Sequence, residues 1–333
     1  MSRRRRGVAL LGLGMAVRPH AQSLLDLADR VEVVWAASRS AERCQAFAQA
    51  FPFPVTTELG RVLQDERVEA VLVLTPPASH GELGAAVLAA GRTLLIEKPV
   101  GLDTGTAVAL AEQAARLDRT VGVVLQHRFR PAAQALAAAI TSGELGPLCA
   151  GQCQVLWWRP QAYYDEPGRG TRARDGGGVL LTQAIHSLDL FRALVGTVDV
   201  QASIATTTGL HRMEGEDHVV ALARLGEAGA PGAILASTAY YPGFPERIEL
   251  VFRHATARLE GGRLDLYHQD GRHEQLAGAA ASGGGADPMA FSHEAHRTLI
   301  TDFLDALDED RAPKVGLSDL IATRRLIDAL LRP

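Results

Sequence analysis

Lys98 stands in the stretch TLLIEKPVGLD, where three apolar residues give way at once to a carboxylate, an amine and a proline. Burying Glu97 and Lys98 at a strand end is costly unless each finds partners. An amine held there can bond an oxygen and stabilise negative charge on it. Partial burial or a neighbouring cation lowers its pKa towards the working range, and Pro99 fixes the exit of the chain so that the ammonium is held in position. The bland alternative is a lysine snorkelling at a strand end. His186 is the second candidate, in DGGGVLLTQAIHSLDLF. Three glycines ahead of a helix leave its start bare for a ligand. Thr182, His186 and Asp189 then share a face at i, i+4 and i+7, beside the apolar stripe Leu181, Ile185 and Leu188. An imidazole there is a general acid/base or a ligand for a substrate hydroxyl; a structural histidine capped by Asp189 is the competing reading.

A third constellation suits a dinucleotide. VALLGLGMAVRPHA puts Gly12 and Gly14, with Met15 and Ala16, after a strand and before a helix. The first glycine permits a tight turn, and the second lets the backbone approach a pyrophosphate seated on the helix N-terminus. Val17 occupies the third position of the glycine pattern. At the end of the next strand, where an acidic residue would bond the ribose hydroxyls, stand Ser38 and Arg39. A hydroxyl beside a guanidinium suits a 2′-phosphate, which tilts the expectation from NAD(H) to NADP(H); a solvated loop arginine is the alternative. TPPASH places Thr75 and Pro76 at the carboxyl edge of the sheet and His80 in the first helical turn, near the cofactor or simply opening a surface helix.

The segment WWRPQAYYDEPGRGTRARDGGG concentrates aromatic and basic residues in a chain that is only 5% aromatic. Arg159, Tyr163, Tyr164 and Arg172 are its candidates for stacking on sugar CH groups and gripping a carboxylate or phosphate. An oligomer contact or a solvated loop is the alternative. In QHRFRP, Arg128 either reaches the substrate or braces the link between domains, and Arg130 braces it.

The elements that must position these groups are legible in outline. Strands at 8–11, 31–37, 70–75, 93–96 and 121–125 alternate with helices at 19–29, 40–50, 79–90 and 104–118, a parallel sheet covered on both faces. After Gln126 a helix at 131–140, a strand at 150–157 and a helix at 178–195 lead into strands at 198–206, 217–225, 232–240, 246–252, 255–260 and 264–268, consistent with an antiparallel sheet. The glycine-rich run 278–288 is expected to be a mobile loop, and helices at 289–308 and 318–331 close the chain. The fold class is therefore α/β: a doubly wound Rossmann domain over 1–126, then an α+β domain over 127–333 with a large open sheet.

With 333 residues, 47% hydrophobic and 22% charged, the chain can bury a full core, and a net charge of -4 gives no reason to expect a nucleic-acid partner. Cys44, Cys149 and Cys153 lack metal spacing; free thiols, with Cys149 and Cys153 buried in a strand, fit a reducing cytoplasm. No metal site is expected. The arginines of MSRRRR precede too short an apolar run for a signal peptide and are expected to be a solvated tail, and no stretch is expected to span a membrane.

Taken in order along the chain, GLGMAVRPHA, TPPASHGEL, AAGRTLLIEKPVGL and DGGGVLLTQAIHSLDL together resemble the Gfo/Idh/MocA oxidoreductases. That resemblance implies an N-terminal Rossmann domain binding NAD(P), hydride transfer at a secondary alcohol or ketone of a sugar or polyol, and dimers or tetramers assembled through the C-terminal sheet. It casts Lys98 as the family's E-K-P lysine, near nicotinamide and substrate, with Glu97 beside it, and His186 as the family's histidine. Many family dehydrogenases carry aspartate where this chain has Thr182. A hydroxyl is no base near neutral pH, so either Lys98 and His186 share the proton work or the substrate is oriented differently, and an acidic or nucleotide-linked sugar becomes the expectation. A catalytically silent NAD(P)-binding regulator is the alternative class: it needs neither Lys98 nor His186.

Overall fold

The computed structural model describes residues 4–276 and 292–332. The glycine-rich run at 278–288 and the first residues of the helix expected from Met289 lie outside them. The described residues form two compact units. The first runs to Leu125 and takes in His293–Ile321, and the second holds the chain from Gln126 together with the last residues from Ala322.

In the first unit, short apolar runs become strands because their residues are buried on both faces. The sheet contains β1 (Arg6–Leu11), β2 (Val31–Ala37), β3 (Val55–Thr56), β4 (Ala70–Val73), β5 (Thr93–Glu97) and β6 (Val121–Val124). Their order is β3-β2-β1-β4-β5-β6, and every pairing is parallel. The order reverses at β1 and β4, the crevice where doubly wound sheets bind ligands beyond the strand carboxyl ends. The connections are α1 (Val17–Asp26), α2 (Ala41–Ala50), α3 (Leu59–Gln64), α4 (His80–Ala89) and α5 (Thr104–Arg116). Ser40 caps α2 by accepting from Arg43 N–H, and Asp103 caps α5 by accepting from Thr106 N–H. The short β3 and α3 carry too little periodicity to be read from sequence.

A single cut after residue 126 does not describe these units. The helix Glu294–Asp308 packs on α1 and β6. Gly122 makes room for it: a Cβ there would come within 2.9 Å of the Phe303 ring. Arg30 and Arg6 pin its end through Asp305 and Asp308. The N-terminal arginines accordingly are not all solvated: Arg4 and Arg6 pair with Glu69, and Arg5 donates to the Val31 carbonyl.

The second unit contains α6 (Pro131–Ser142), β7 (Leu148–Leu156), the one-turn helices α7 (Gln161–Tyr164) and α8 (Arg172–Asp175), and α9 (Ile185–Val195). Strands β8 (Val198–Thr206), β9 (His218–Leu225), β10 (Ala230–Ser237), β11 (Arg247–Phe252), β12 (Ala255–Glu260), β13 (Arg263–His268) and β14 (His273–Leu276) follow. The eight-stranded sheet has the order β14-β13-β12-β11-β7-β10-β9-β8 and is antiparallel except where β10 lies parallel to β7. Strand β9 alternates buried and exposed residues, the pattern of a sheet with one covered face. The last two helices are α10 (Glu294–Asp308) and α11 (Leu317–Leu330). The stretch 172–195 is long and apolar enough to pass for a membrane span, contrary to expectation, but 83% of its most apolar window is buried in the fold, as in a core helix. Cys153 is buried and its thiol is pushed up to about 12 by burial, whereas Cys149, expected to be buried, is exposed.

Candidate active site

The glycine turn after β1 is built for a close backbone approach. Gly12 has φ +107, and a Cβ there would lie 2.7 Å from the Leu74 carbonyl carbon, so neither its conformation nor its neighbours admit a side chain. Gly14 is the opposite case: a Cβ there meets no protein atom within 4 Å. It stands just ahead of the N-terminus of α1, with Met15 exposed and Ala16 at the cap, where backbone N–H groups could receive an anion. Val17 is buried at the first residue of α1 and leaves this turn intact. Beyond β2, Ser38 accepts from Ser40 N–H at 3.3 Å, and Arg39 is exposed.

The turn after β4 is tied to the end of β5 by His80. Its ring is buried; Nε2 faces the Thr75 carbonyl at 2.5 Å and Nδ1 the Pro99 carbonyl at 2.7 Å. Burial holds this imidazole below the usual histidine range despite those carbonyls. His80 is therefore engaged on backbone: it holds Thr75 and Pro99 in place. Thr75 Oγ1 accepts from Ser79, and Pro76 precedes the 3₁₀ turn Pro77–Ser79.

Glu97 ends β5. One carboxylate oxygen accepts from His20 Nε2 at 2.8 Å, and the other accepts from the Lys98 backbone N–H at 3.1 Å. Burial works to raise the Glu97 pKa, but the His20 hydrogen bond and nearby positive charge outweigh it and hold the carboxyl below the usual range. Lys98 is half-buried, and burial holds its amine below the usual lysine range, opposed by the charge of Glu97. An amine so placed exchanges a proton more readily than a surface lysine. His296 on α10 lies edge-on to His20, with ring centroids 4.9 Å apart. Neither histidine was singled out from sequence. His20 had a signal, its place inside the glycine-turn helix; His296, nearly two hundred residues from Lys98, had none.

In the second unit, His186 is buried near the start of α9, its ring 5.0 Å from that of His127. The turn just before it, Leu180–Ala184, is a π-helix. Such wide turns concentrate at functional sites, and this one breaks the 3.6-residue repeat from which a shared face for Thr182, His186 and Asp189 was expected. Thr182 Oγ1 donates to the Gly178 carbonyl at 2.7 Å. Asp189 is fully buried. It takes Arg128 in a two-point pair, with Nε and Nη2 each 2.6 Å from a carboxylate oxygen, and also accepts from Thr323. Arg128, expected to reach the substrate or brace the link between domains, thus pairs with Asp189 through Nε and Nη2. Arg130 bonds Glu246 and His127, both within the second unit.

The aromatic–basic segment is less available than its composition suggests. Arg159 is 1% exposed, donates to the Trp158 carbonyl and to Gln183, and lies over Trp157 and Tyr163. Tyr164 is buried; its hydroxyl meets Thr238 Oγ1 at 2.7 Å, and burial pushes the phenol up. Tyr163 accepts from Gln183 and carries Arg169 over its ring at 4.2 Å, and Arg172 is exposed at the start of α8. The glycine run also has a different purpose from the one expected. A Cβ on Gly178 would sit 1.9 Å from the Glu216 carbonyl oxygen, so the close approach is by the protein's own chain. The Glu216 carboxylate accepts from the N–H groups of Gly178 and Leu180, and burial pushes its pKa up. Glu216 and the buried His211–Asp217 pair, 2.6 Å apart, were invisible in sequence because their partners are remote.

Two family models match. Residues 6–125 fit an oxidoreductase family with an NAD-binding Rossmann fold, and residues 133–258 fit the GFO/IDH/MocA C-terminal domain. The chain belongs to the Gfo/Idh/MocA oxidoreductases. Among its Gfo/Idh/MocA relatives, D-apiose dehydrogenase of Paraburkholderia graminis is 25% identical over 327 residues, covering 96% of this chain and 85% of that protein. The scyllo-inositol 2-dehydrogenase (NAD(+)) of Bacillus subtilis is 22% identical, covering 96% and 90%. Among solved structures, the WlbA dehydrogenase from Bordetella pertussis, in complex with NADH and UDP-GlcNAcA, superposes with a TM-score of 0.82 at 26% identity, covering 98% of this chain and 95% of that one. Like its family, this protein is an oxidoreductase with an NAD(H)-binding Rossmann fold.

Proposed function

We propose that the protein moves a hydride between a nicotinamide cofactor and a secondary alcohol or ketone of a sugar derivative, with Lys98 handling the proton. The carrying observation is Lys98 itself: an amine depressed by burial at the carboxyl end of β5, with its backbone bonded to Glu97. When bound, the nicotinamide supplies or accepts the hydride. Backbone at Gly12, Gly14, Met15 and Ala16 would hold the pyrophosphate, and the turn at Thr75 and Pro76 would line the same carboxyl edge. Lys98 bonds the reacting oxygen, giving up or taking its proton, and stabilises the alkoxide. His186 bonds a substrate hydroxyl and shares the proton work, since Thr182 can donate or accept a hydrogen bond but not serve as a base. Exposed Arg172, with Tyr163, favours a substrate bearing a carboxylate or phosphate, as does the UDP-GlcNAcA in complex with the WlbA dehydrogenase, whereas the relatives named for D-apiose and scyllo-inositol are named for uncharged sugars or polyols.

The exposed Arg39, beside Ser38 at the end of β2 where an acidic residue would bond the ribose hydroxyls, favours NADP(H) over NAD(H). The free cysteines fit a reducing cytoplasm. The outward face of the eight-stranded sheet, with Ile204 71% and Leu222 60% exposed, suits assembly with a second copy.

The test is turnover of D-apiose, scyllo-inositol and UDP-GlcNAcA with both cofactors, beside fluorescence titration of NADH and NADPH. Lys98→Ala should lower kcat by about 10²-fold or more and still bind NADH. Arg39→Ala should weaken NADPH about tenfold and leave NADH unchanged. A Lys98→Ala enzyme as fast as wild type would end this reading.

A further inference from the structure

We propose that His20 and His296 are positioning residues: they hold Glu97 as a carboxylate and, through it, fix the backbone and the charge state of Lys98. The three side chains come from separate elements of the first unit, α1, β5 and α10, and their potential ligand atoms all lie within 4.8 Å of one another. His20 is fully buried, and Glu97 and His296 are nearly so. His20 Nε2 donates to one oxygen of Glu97 at 2.8 Å, while the other oxygen accepts from the Lys98 N–H at 3.1 Å. The carboxylate therefore bridges α1 to the peptide that carries the amine.

The tautomer follows from the other ring nitrogen. His20 Nδ1 is buried and has no hydrogen-bond partner among the described residues. Nε2 therefore carries the hydrogen that the Glu97 carboxylate accepts. His296, 3% exposed and edge-on to His20 at an interplanar angle of 83°, holds the ring in that orientation and adds favourable potential at Glu97. The titratable groups facing Glu97 are His20 from α1, His296 from α10, His80 from α4 and Lys98 from its own chain. The Glu97 charge opposes the desolvation that strips protons from Lys98. Without the histidines Glu97 would take up a proton more easily, and Lys98 would lose its own more easily.

This inference rests on the reading of Lys98 as the proton-handling amine, but its test reads the amine directly and needs no substrate. The chain contains two lysines, Lys98 and Lys314, so competitive acetylation by trace acetic anhydride, followed by mass spectrometry, gives a pH profile for Lys98 with exposed Lys314 as the internal standard. In Glu97→Gln and His20→Phe the Lys98 profile should move to lower pH. Its labelling relative to Lys314 at about pH 8 should rise about threefold or more, with the high-pH plateau unchanged. His20→Gln, which keeps an N–H for Glu97, should restore the wild-type profile, and His296→Phe should move it part of the way. Glu97→Gln is nearly isosteric and decides the matter if His20→Phe does not fold. Profiles that coincide in wild type and Glu97→Gln would overturn the proposal. So would stoichiometric zinc in the wild-type protein that His20→Gln loses, because the three side chains would then be ligands.

Discussion

Lys98 shows how one residue couples stability to chemistry. Burial lowers its pKa from the ordinary 10.5, so the unfolded chain binds more protons than the folded one in the window between the two values. Stability therefore rises with pH through that window, and below it the charged amine costs the fold stability. Lys98→Met should melt above wild type at pH 7, by about 2–4 °C, and the difference should shrink as the pH approaches 10.5. A thermal-melt series in matched buffers checks this; a variant less stable than wild type at pH 7 would mean that the amine is a net stabiliser. At the same scale, the substrate candidates Arg128, Arg159 and Tyr164 are each held by an internal partner, Asp189, Gln183 and Thr238 respectively.

At the scale of elements, two glycines with similar sequence signatures do opposite things. Gly14 opens a space that the protein leaves unfilled, while Gly178 is packed against the backbone of Glu216. Gly14→Ala should leave the urea midpoint unchanged and weaken NADH binding. Gly178→Ala should cost about 1–3 kcal/mol or more, seen as a lower urea midpoint at constant slope. Equal midpoints for the two variants would contradict the packing at Gly178. The π turn before His186 belongs to this scale too. A strict 3.6-residue repeat predicted Thr182 and His186 on one face, and the wider turn at Leu180–Ala184 breaks that register.

For the whole molecule the open question is assembly. On the outward face of the second unit's sheet, Ile204 of β8 stands opposite Val220 of β9, and Leu222 lies one residue pair further along the same face. All three are exposed apolar side chains, at 71%, 44% and 60%. Cross-strand apolar rows of this kind are unusual on a lone protomer. Ile204→Lys with Leu222→Lys should convert an oligomer to protomers in light scattering coupled to gel filtration. If the wild type is already a monomer at high micromolar concentration, the proposed assembly fails.

The sequence alone determined the architecture, because parallel strands buried on both faces and antiparallel strands with one wet face leave different periodicities in the chain. It also singled out Lys98 for proposal, because its stretch stands with three others in the order of the Gfo/Idh/MocA oxidoreductases. Tertiary structure decided who faces whom. His20, His296 and Glu97 are 77 and 199 residues apart along the chain yet share one buried cluster, and α10 joins the first unit through a gap left by Gly122. Such partnerships depend on close packing between distant segments, and packing leaves no period in a sequence.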